Sequence, residues 1–230
     1  MADYFTGQGF HVVGIDRQPE ATPPMGNYLQ LDLAELVDSQ SLQAQFVHEV
    51  STLIRDRELN LMAIVNNAAV QILGGVSELS IDDFLLSQKI NVAAPLLLVK
   101  LLLNQLPAGA SVINIGSIHA SLTKPRFVSY ATSKAALRGL TQAMAVDLGG
   151  KIRVNCIEPA AIATDMLVDG FKESPERLEL LKRYHPSNKI GSSEDIAELC
   201  HFLIRSKVTF LNGSCIAVDG AISSRLHDPA

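Results

Sequence analysis

The sequence predicts an α/β fold, a parallel sheet covered by helices on both faces, and three observations carry that prediction. Short β-branched runs alternate with longer stretches of helical periodicity. The strand-like runs are apolar nearly throughout, as strands buried on both faces must be. With 230 residues, 47% hydrophobic and 19% charged, the chain has material for one large core, so residues 1–230 read as a single domain.

In chain order, residues 11–16 read as a strand, and residues 41–57 as a helix with Leu42, Phe46, Val50, Leu53 and Ile54 on one face. Residues 61–65 form a strand running into Asn66 and Asn67. Ser80 followed by Asp83 marks a capped helix start, and the helix continues past Pro95 to Leu103. Residues 111–115 are a strand and residues 128–148 an alanine-rich helix. Residues 152–157 are a strand stopped at Pro159, residues 192–204 a helix, and residues 214–219 the last strand. Ligands of parallel sheets bind beyond the carboxyl ends of the strands, where Asp16, Asn66, Ser117 and Pro159 fall.

Net charge is −5, without a run of basic residues, which argues against a nucleic-acid or anionic-membrane surface. Cys156, Cys200 and Cys215 lie in apolar stretches and read as free thiols in a reducing compartment. Without CxxC or HExxH, and with six scattered histidines, a metal site is not expected. The apolar run 92–103 contains Lys100 and is shorter than the roughly 20 residues a bilayer span needs. The N-terminus lacks a basic-then-apolar signal pattern, so a soluble cytoplasmic protein is expected.

The chemistry concentrates in Ser129-Tyr-Ala-Thr-Ser-Lys134, with Ser117 thirteen residues upstream at a strand end. Tyr130 and Lys134 stand four apart and share a helix face. A tyrosine with its usual pKa of about 10 is a poor base. A neighbouring ammonium favours the phenolate and makes the phenol a usable acid/base. Ser117 can donate to an oxygen whose charge changes in the transition state.

With these residues in view, the chain resembles the short-chain dehydrogenase/reductase family, from about residue 2 to residue 220. The motifs in order are Asp16, Leu31-Asp32-Leu33, Asn66-Asn67-Ala68-Ala69, Asn91, Ser117, Tyr130 with Lys134, Asn155 to Pro159, Leu211-Asn-Gly213 and Val218-Asp-Gly220. The resemblance implies a Rossmann-like, doubly wound sheet. It implies an NAD-dependent oxidoreductase interconverting an alcohol and a carbonyl, with NADP the lesser alternative. Tyr130 would be the general acid/base, and Lys134 would hold the nicotinamide ribose. Ser117 would orient the substrate, and Asn91 would support a water relay. Asp16 would bind the adenosine ribose and repel a 2′-phosphate, although Arg17 beside it could accept one. Asp32 and Leu33 would flank the adenine, Asn67, Ala68 and Ala69 the adenosine side. Pro159, Ile162 and Thr164 would border the nicotinamide. Asp32 also reads as a turn acid, and Thr164 as a helix cap. Ala69 and Ala160 stand where the family has glycine.

The apolar start of residues 163–190, with Met166, Leu167, Val168 and Phe171, suggests an apolar or alicyclic alcohol or ketone, or exposed-helix packing. His119 and Gln71 face either the substrate or the core. Ala131, Ala135, Ala136, Ala143 and Ala145 suggest close helix packing in a homodimer or homotetramer.

The family's Thr-Gly-x-x-x-Gly-x-Gly turn joins a central first strand to a helix and cups the pyrophosphate. Residues 2–9 resemble instead the end of that helix, and Thr6-Gly7-Gln8-Gly9 leads into a strand. The sequence reading therefore expects the first strand to be missing and cofactor binding to be impaired. A non-catalytic binding or assembly protein is the rival. An extended epimerase or dehydratase is disfavoured by the length.

Overall fold

The structure, a computed structural model, describes residues 1–19 and 27–226, with all side chains among them except those of Asp165 and Met166. The elements are α1 (Ala2–Gly7), β1 (Gly14–Asp16), β2 (Tyr28–Gln30), α2 (Leu33–Asp38), α3 (Gln40–Asp56), β3 (Ala63–Asn66), α4 (Ile81–Gln88), α5 (Ala94–Leu102) and β4 (Ser111–Ile115). They continue with α6 (Val128–Leu148), β5 (Arg153–Pro159), α7 (Asp165–Asp169), α8 (Pro175–Tyr184), α9 (Ser193–Arg205) and β6 (Cys215–Val218).

All strand pairing is parallel and falls into two sheets. One holds β1 and β2. The other has the order β3-β4-β5-β6, with Asn66 opposite Asn114, Cys156 opposite Asn114, and Cys215 opposite Cys156. Among the described residues no strand pairs with the second edge of β1 or of β3. The apolar residues of β3 are half-buried, whereas Val112, Ile113, Val154 and Ile157 in β4 and β5 are fully buried.

One face of the larger sheet packs Val112 and Val154 against Val99 of α5 and Met144 and Ala145 of α6. The other packs Ile113 and Ile157 against Phe5 of α1 and Ile196, Cys200 and Leu203 of α9. The smaller sheet is tied in by side chains: Ile15 and Leu29 join Leu36, Phe46, Val50, Leu98 and Leu102, and Ile64 of β3 touches the same cluster.

Helix starts follow their caps. Ser80 accepts from the Asp83 amide, and Ser192 with Asp195 closes a reciprocal capping box at α9. Residues 81–105 are helical without a break, 25 residues long and apolar enough by length and composition to cross a bilayer. Here Ala94, Leu98, Val99 and Leu102 face the protein core, so we read the run as a core helix. Between α4 and α5 it widens to a π-turn over Lys89–Ala93. Pro95 has no N–H to return to the Asn91 carbonyl, and the turn just before it absorbs that loss.

The sequence reading placed most elements correctly and erred on short ones. The strand expected over residues 11–16 begins only at Gly14, and β2 and α2 were not foreseen. Gly9 at φ +81° breaks α1 as expected. Neither Ala69 nor Ala160 has a positive φ, so a methyl group is free of strain at both.

Candidate active site

Three consecutive strands of the larger sheet deliver residues to one end. Asn67, Ala68 and Ala69 follow β3 and are exposed. Ser117 follows β4, and Pro159, Ile162 and Thr164 end or follow β5. The strand end at Gly116 is tight: a Cβ there would sit 2.7 Å from the Cys156 sulfur, so a larger residue would have to displace that side chain.

Helix α6 supplies the rest. Ser117 is 7% and Lys134 3% exposed. The Ser117 hydroxyl accepts from the His119 amide at 3.2 Å and lies on the side of the Tyr130 phenol, whose ionised form it favours. Lys134 Nζ donates to the Ile115 carbonyl at 2.7 Å and lies 5.6 Å from the centroid of the Tyr130 ring. Two of its three N–H donors remain available.

Asn91 joins this set indirectly. On the π-turn, its Oδ1 accepts from the Val70 amide at 2.8 Å, and its Nδ2 donates to the Val70 carbonyl and to Ser133 Oγ, both at 2.9 Å. Ser133 in turn donates to the Tyr130 carbonyl at 2.8 Å. The Asn91 side chain thus clamps the loop at Val70 against α6, with both its N–H donors and one of the two acceptor sites of Oδ1 engaged. Ser133, inside the Tyr-Ala-Thr-Ser-Lys stretch, was given no role by the sequence reading.

The electrostatics depart from the expected lysine effect. Burial pushes the Tyr130 phenol above its ordinary value, only partly opposed by the Ser117 hydroxyl. Lys134 is itself pulled down to about 8, chiefly by burial. The phenol is therefore protonated at neutral pH. Below about pH 8 the folded chain must bury a charged Lys134, and this cost fades as pH rises toward the unfolded value of 10.5. Lys134→Met is accordingly expected to raise thermal stability near pH 7 by about 1–3 kcal/mol. Melting curves from pH 7 to 10 should show the gap closing as the wild type gains stability; a gap independent of pH would refute the assignment.

His119 stacks on Phe127 at 4.5 Å and meets Tyr130 edge-on at 5.8 Å. Burial, with Lys124 nearby, pulls its imidazole below the usual histidine range. It therefore borders the phenol as a neutral ring. Gln71 is exposed.

The adenosine-side candidates lie apart from these, on the smaller sheet. Asp16 and Arg17 are exposed at the end of β1. Asp16 Oδ1 accepts from the Gln18 amide. Asp32 and Leu33 follow β2, and Asp32 caps α2 by accepting from the Ala34 amide at 2.7 Å. Thr164 likewise accepts from the Leu167 amide at 3.3 Å. Thr164 thus caps as expected, whereas Asp32, expected as a turn acid, is a helix cap, and among the described residues both its bonds go to Oδ1. Thr6–Gly9 closes the C-terminal end of α1. Helix carbonyls point outward there, so this string is no anion cradle.

A family model described as enoyl-(acyl carrier protein) reductase matches residues 1–223. An uncharacterized oxidoreductase of Thermotoga maritima is 36% identical over 163 residues, covering 68% of this chain and 65% of that protein. Glucose 1-dehydrogenase 2 of Bacillus subtilis is 31% identical over 150 residues, covering 64% of this chain and 57% of that one. The match thus spans less than two thirds of either relative's length. Among solved structures, the ligand-free aldohexose dehydrogenase of Thermoplasma acidophilum superposes with a TM-score of 0.87 at 22% identity, over 100% of this chain and 90% of that one. A 4-hydroxyisoleucine dehydrogenase complexed with NADH gives 0.77 at 26% identity, over 97% and 92%. ElxO with NADP bound gives 0.74 at 24% identity, over 86% and 79%, a likeness of fold.

Proposed function

The chain belongs to the short-chain dehydrogenase/reductase family, and from that premise we propose that it is an oxidoreductase interconverting an alcohol and a carbonyl with a nicotinamide dinucleotide. The observation that carries the reading is the trio of buried Ser117, half-buried Tyr130 and buried Lys134 on one strand end and one helix face. The donor set fits the cofactor at two points. Lys134 keeps two N–H donors for the ribose hydroxyls, and the exposed Asp16 carboxylate offers acceptors to the adenosine ribose. Asp32, Leu33, Asn67, Ala68, Ala69, Pro159, Ile162 and Thr164 would line the rest.

Bound there, the nicotinamide would supply or take the hydride. The chain's own part is proton handling. Tyr130, protonated at neutral pH, gives its proton to the carbonyl oxygen being reduced, and Ser117 donates to the same oxygen. Lys134 holds positive charge beside the phenol while it is briefly a phenolate. Asn91 and Ser133 fix the helix turn that carries Tyr130. A carboxylate at Asp16 favours NAD over NADP, with Arg17 acting the other way. The apolar residues Leu167, Val168 and Phe171 favour an apolar or alicyclic substrate.

A second reading, a binding or assembly protein without a working cofactor site, is favoured by the position of Thr6–Gly9 at a helix C-terminus. Two or three charge-assisted hydrogen bonds to the pyrophosphate would contribute roughly 3–9 kcal/mol, against about 8 kcal/mol for micromolar binding. These 230 residues alone are therefore expected to bind NADH no tighter than about 1 mM. Fluorescence titration decides the point, and a sub-millimolar constant would overturn it. The same residues preceded by an apolar strand and a glycine-rich turn should bind and oxidise a member of a broad alcohol panel. Binding without any turnover would leave the second reading standing.

We also propose self-association through α6, where Ala135, Ala136, Gly139 and Ala143 are exposed beside Val146, 87% exposed. Ala145, expected on that face, lies in the core. Light scattering should show a dimer or tetramer that Ala136→Glu reduces to monomer; an unchanged mass would exclude this helix.

A further inference from the structure

Beyond the catalytic set, the parallel register sets Cys215 of β6 directly opposite Cys156 of β5. Their sulfurs and a Glu158 carboxylate oxygen all lie within 4.8 Å of one another. Cys156 and Glu158 are buried, Cys215 is half-buried, and both thiols are free. Two sulfurs and an oxygen converging this closely leave room for one ion bonded to all three, at about 2.3 Å from sulfur and about 2.0–2.2 Å from oxygen. Two thiolates and one carboxylate are the donors that soft or borderline divalent cations select.

We propose that Cys156, Cys215 and Glu158 form a binding site for one thiophilic divalent cation of the zinc or cadmium type, directly behind the catalytic strand end. Sequence spacing hides it, because Cys156 and Cys215 come together only through the sheet register. The groups facing the site are Arg138 and Lys134 of α6. Arg138 is bonded to Glu158 through Nε at 2.7 Å and through a second, shorter contact from its Nη2. The Cys156 thiol, with Arg138 adding to it, draws Cys215 toward its thiolate, whereas Cys215, burial and Glu158 hold Cys156 protonated. On binding, each thiol releases its proton to solvent, the two sulfurs and one carboxylate oxygen bond the ion, and Arg138 turns outward; no electrons are transferred. The Cys156 sulfur fills the space beside Gly116 that a side chain would take, so an occupied site lies next to the residue that precedes Ser117.

The test is anaerobic titration of the reduced chain with cadmium, read by the ultraviolet thiolate-to-cadmium charge-transfer band and by proton release in weak buffer. One ion per chain is expected, with about two protons released, and with the band unchanged in Cys200→Ser. Cys215→Ser, at a half-buried position and checked for folding by circular dichroism, should abolish saturation at one equivalent. Glu158→Gln should weaken binding at least about tenfold. No band, a band surviving in folded Cys215→Ser, or a band that needs Cys200 would each overturn the site.

Discussion

Replacing Tyr130 with phenylalanine is expected to lower kcat/KM by about 10²–10⁴-fold, the range a positioned general acid contributes, while leaving the fold intact. The ring stays where it is, edge-on to His119 and Phe127, and only the hydroxyl is lost. The measurement is steady-state turnover of the extended chain on whichever alcohol it oxidises, with binding of NADH as control. Loss of rate with unchanged cofactor affinity assigns the proton to Tyr130. An unchanged rate would remove the phenol from the chemistry, and with it the proposed function. The direction of the tyrosine's pKa sharpens this expectation. Because burial holds the phenol protonated, reduction of a carbonyl should persist at neutral pH, whereas alcohol oxidation should rise as the solution becomes more alkaline.

Arg138→Leu is expected to destabilise the chain by about 3–5 kcal/mol, a large part of the roughly 5–15 kcal/mol of a whole domain. The Glu158 side chain is 3% exposed, and Arg138 is its counter-charge. Removing the guanidinium strands a carboxylate in a dry site, and the Ser121 hydroxyl loses its bond to Arg138 as well. Denaturant unfolding of Arg138→Leu and of Arg138→Leu with Glu158→Gln checks it: the second change should recover most of the loss. If the double variant were as unstable as the single one, packing rather than charge would be responsible.

How much of this was legible in the sequence follows element length and the distance between partners. α6 and β4 were placed to the residue, because a long alanine-rich stretch and a bounded apolar run each leave one reading. β1, β2 and α2 are three to six residues long, too short for periodicity to register. The trio of Ser117, Tyr130 and Lys134 was visible because local spacing on one helix and one strand end sets it. The Asn91–Ser133 clamp, the Arg138–Glu158 pair and the Cys156–Cys215 apposition were not, because each joins elements brought together only by folding. The lysine's influence on the phenol was misjudged for a related reason: spacing reveals which groups are neighbours, and burial decides which effect prevails.

The smaller sheet carries Asp16 and Asp32 yet shares no backbone hydrogen bond with the strand that leads to Asn67. Its attachment is greasy rather than laddered, through Ile15 and Leu29. Hydrogen exchange is therefore expected to be faster at the amides of β1 and β2 than at those of β4 and β5, which are laddered on both sides. The residues that would choose between the two dinucleotides would then sit on the sheet that opens more readily.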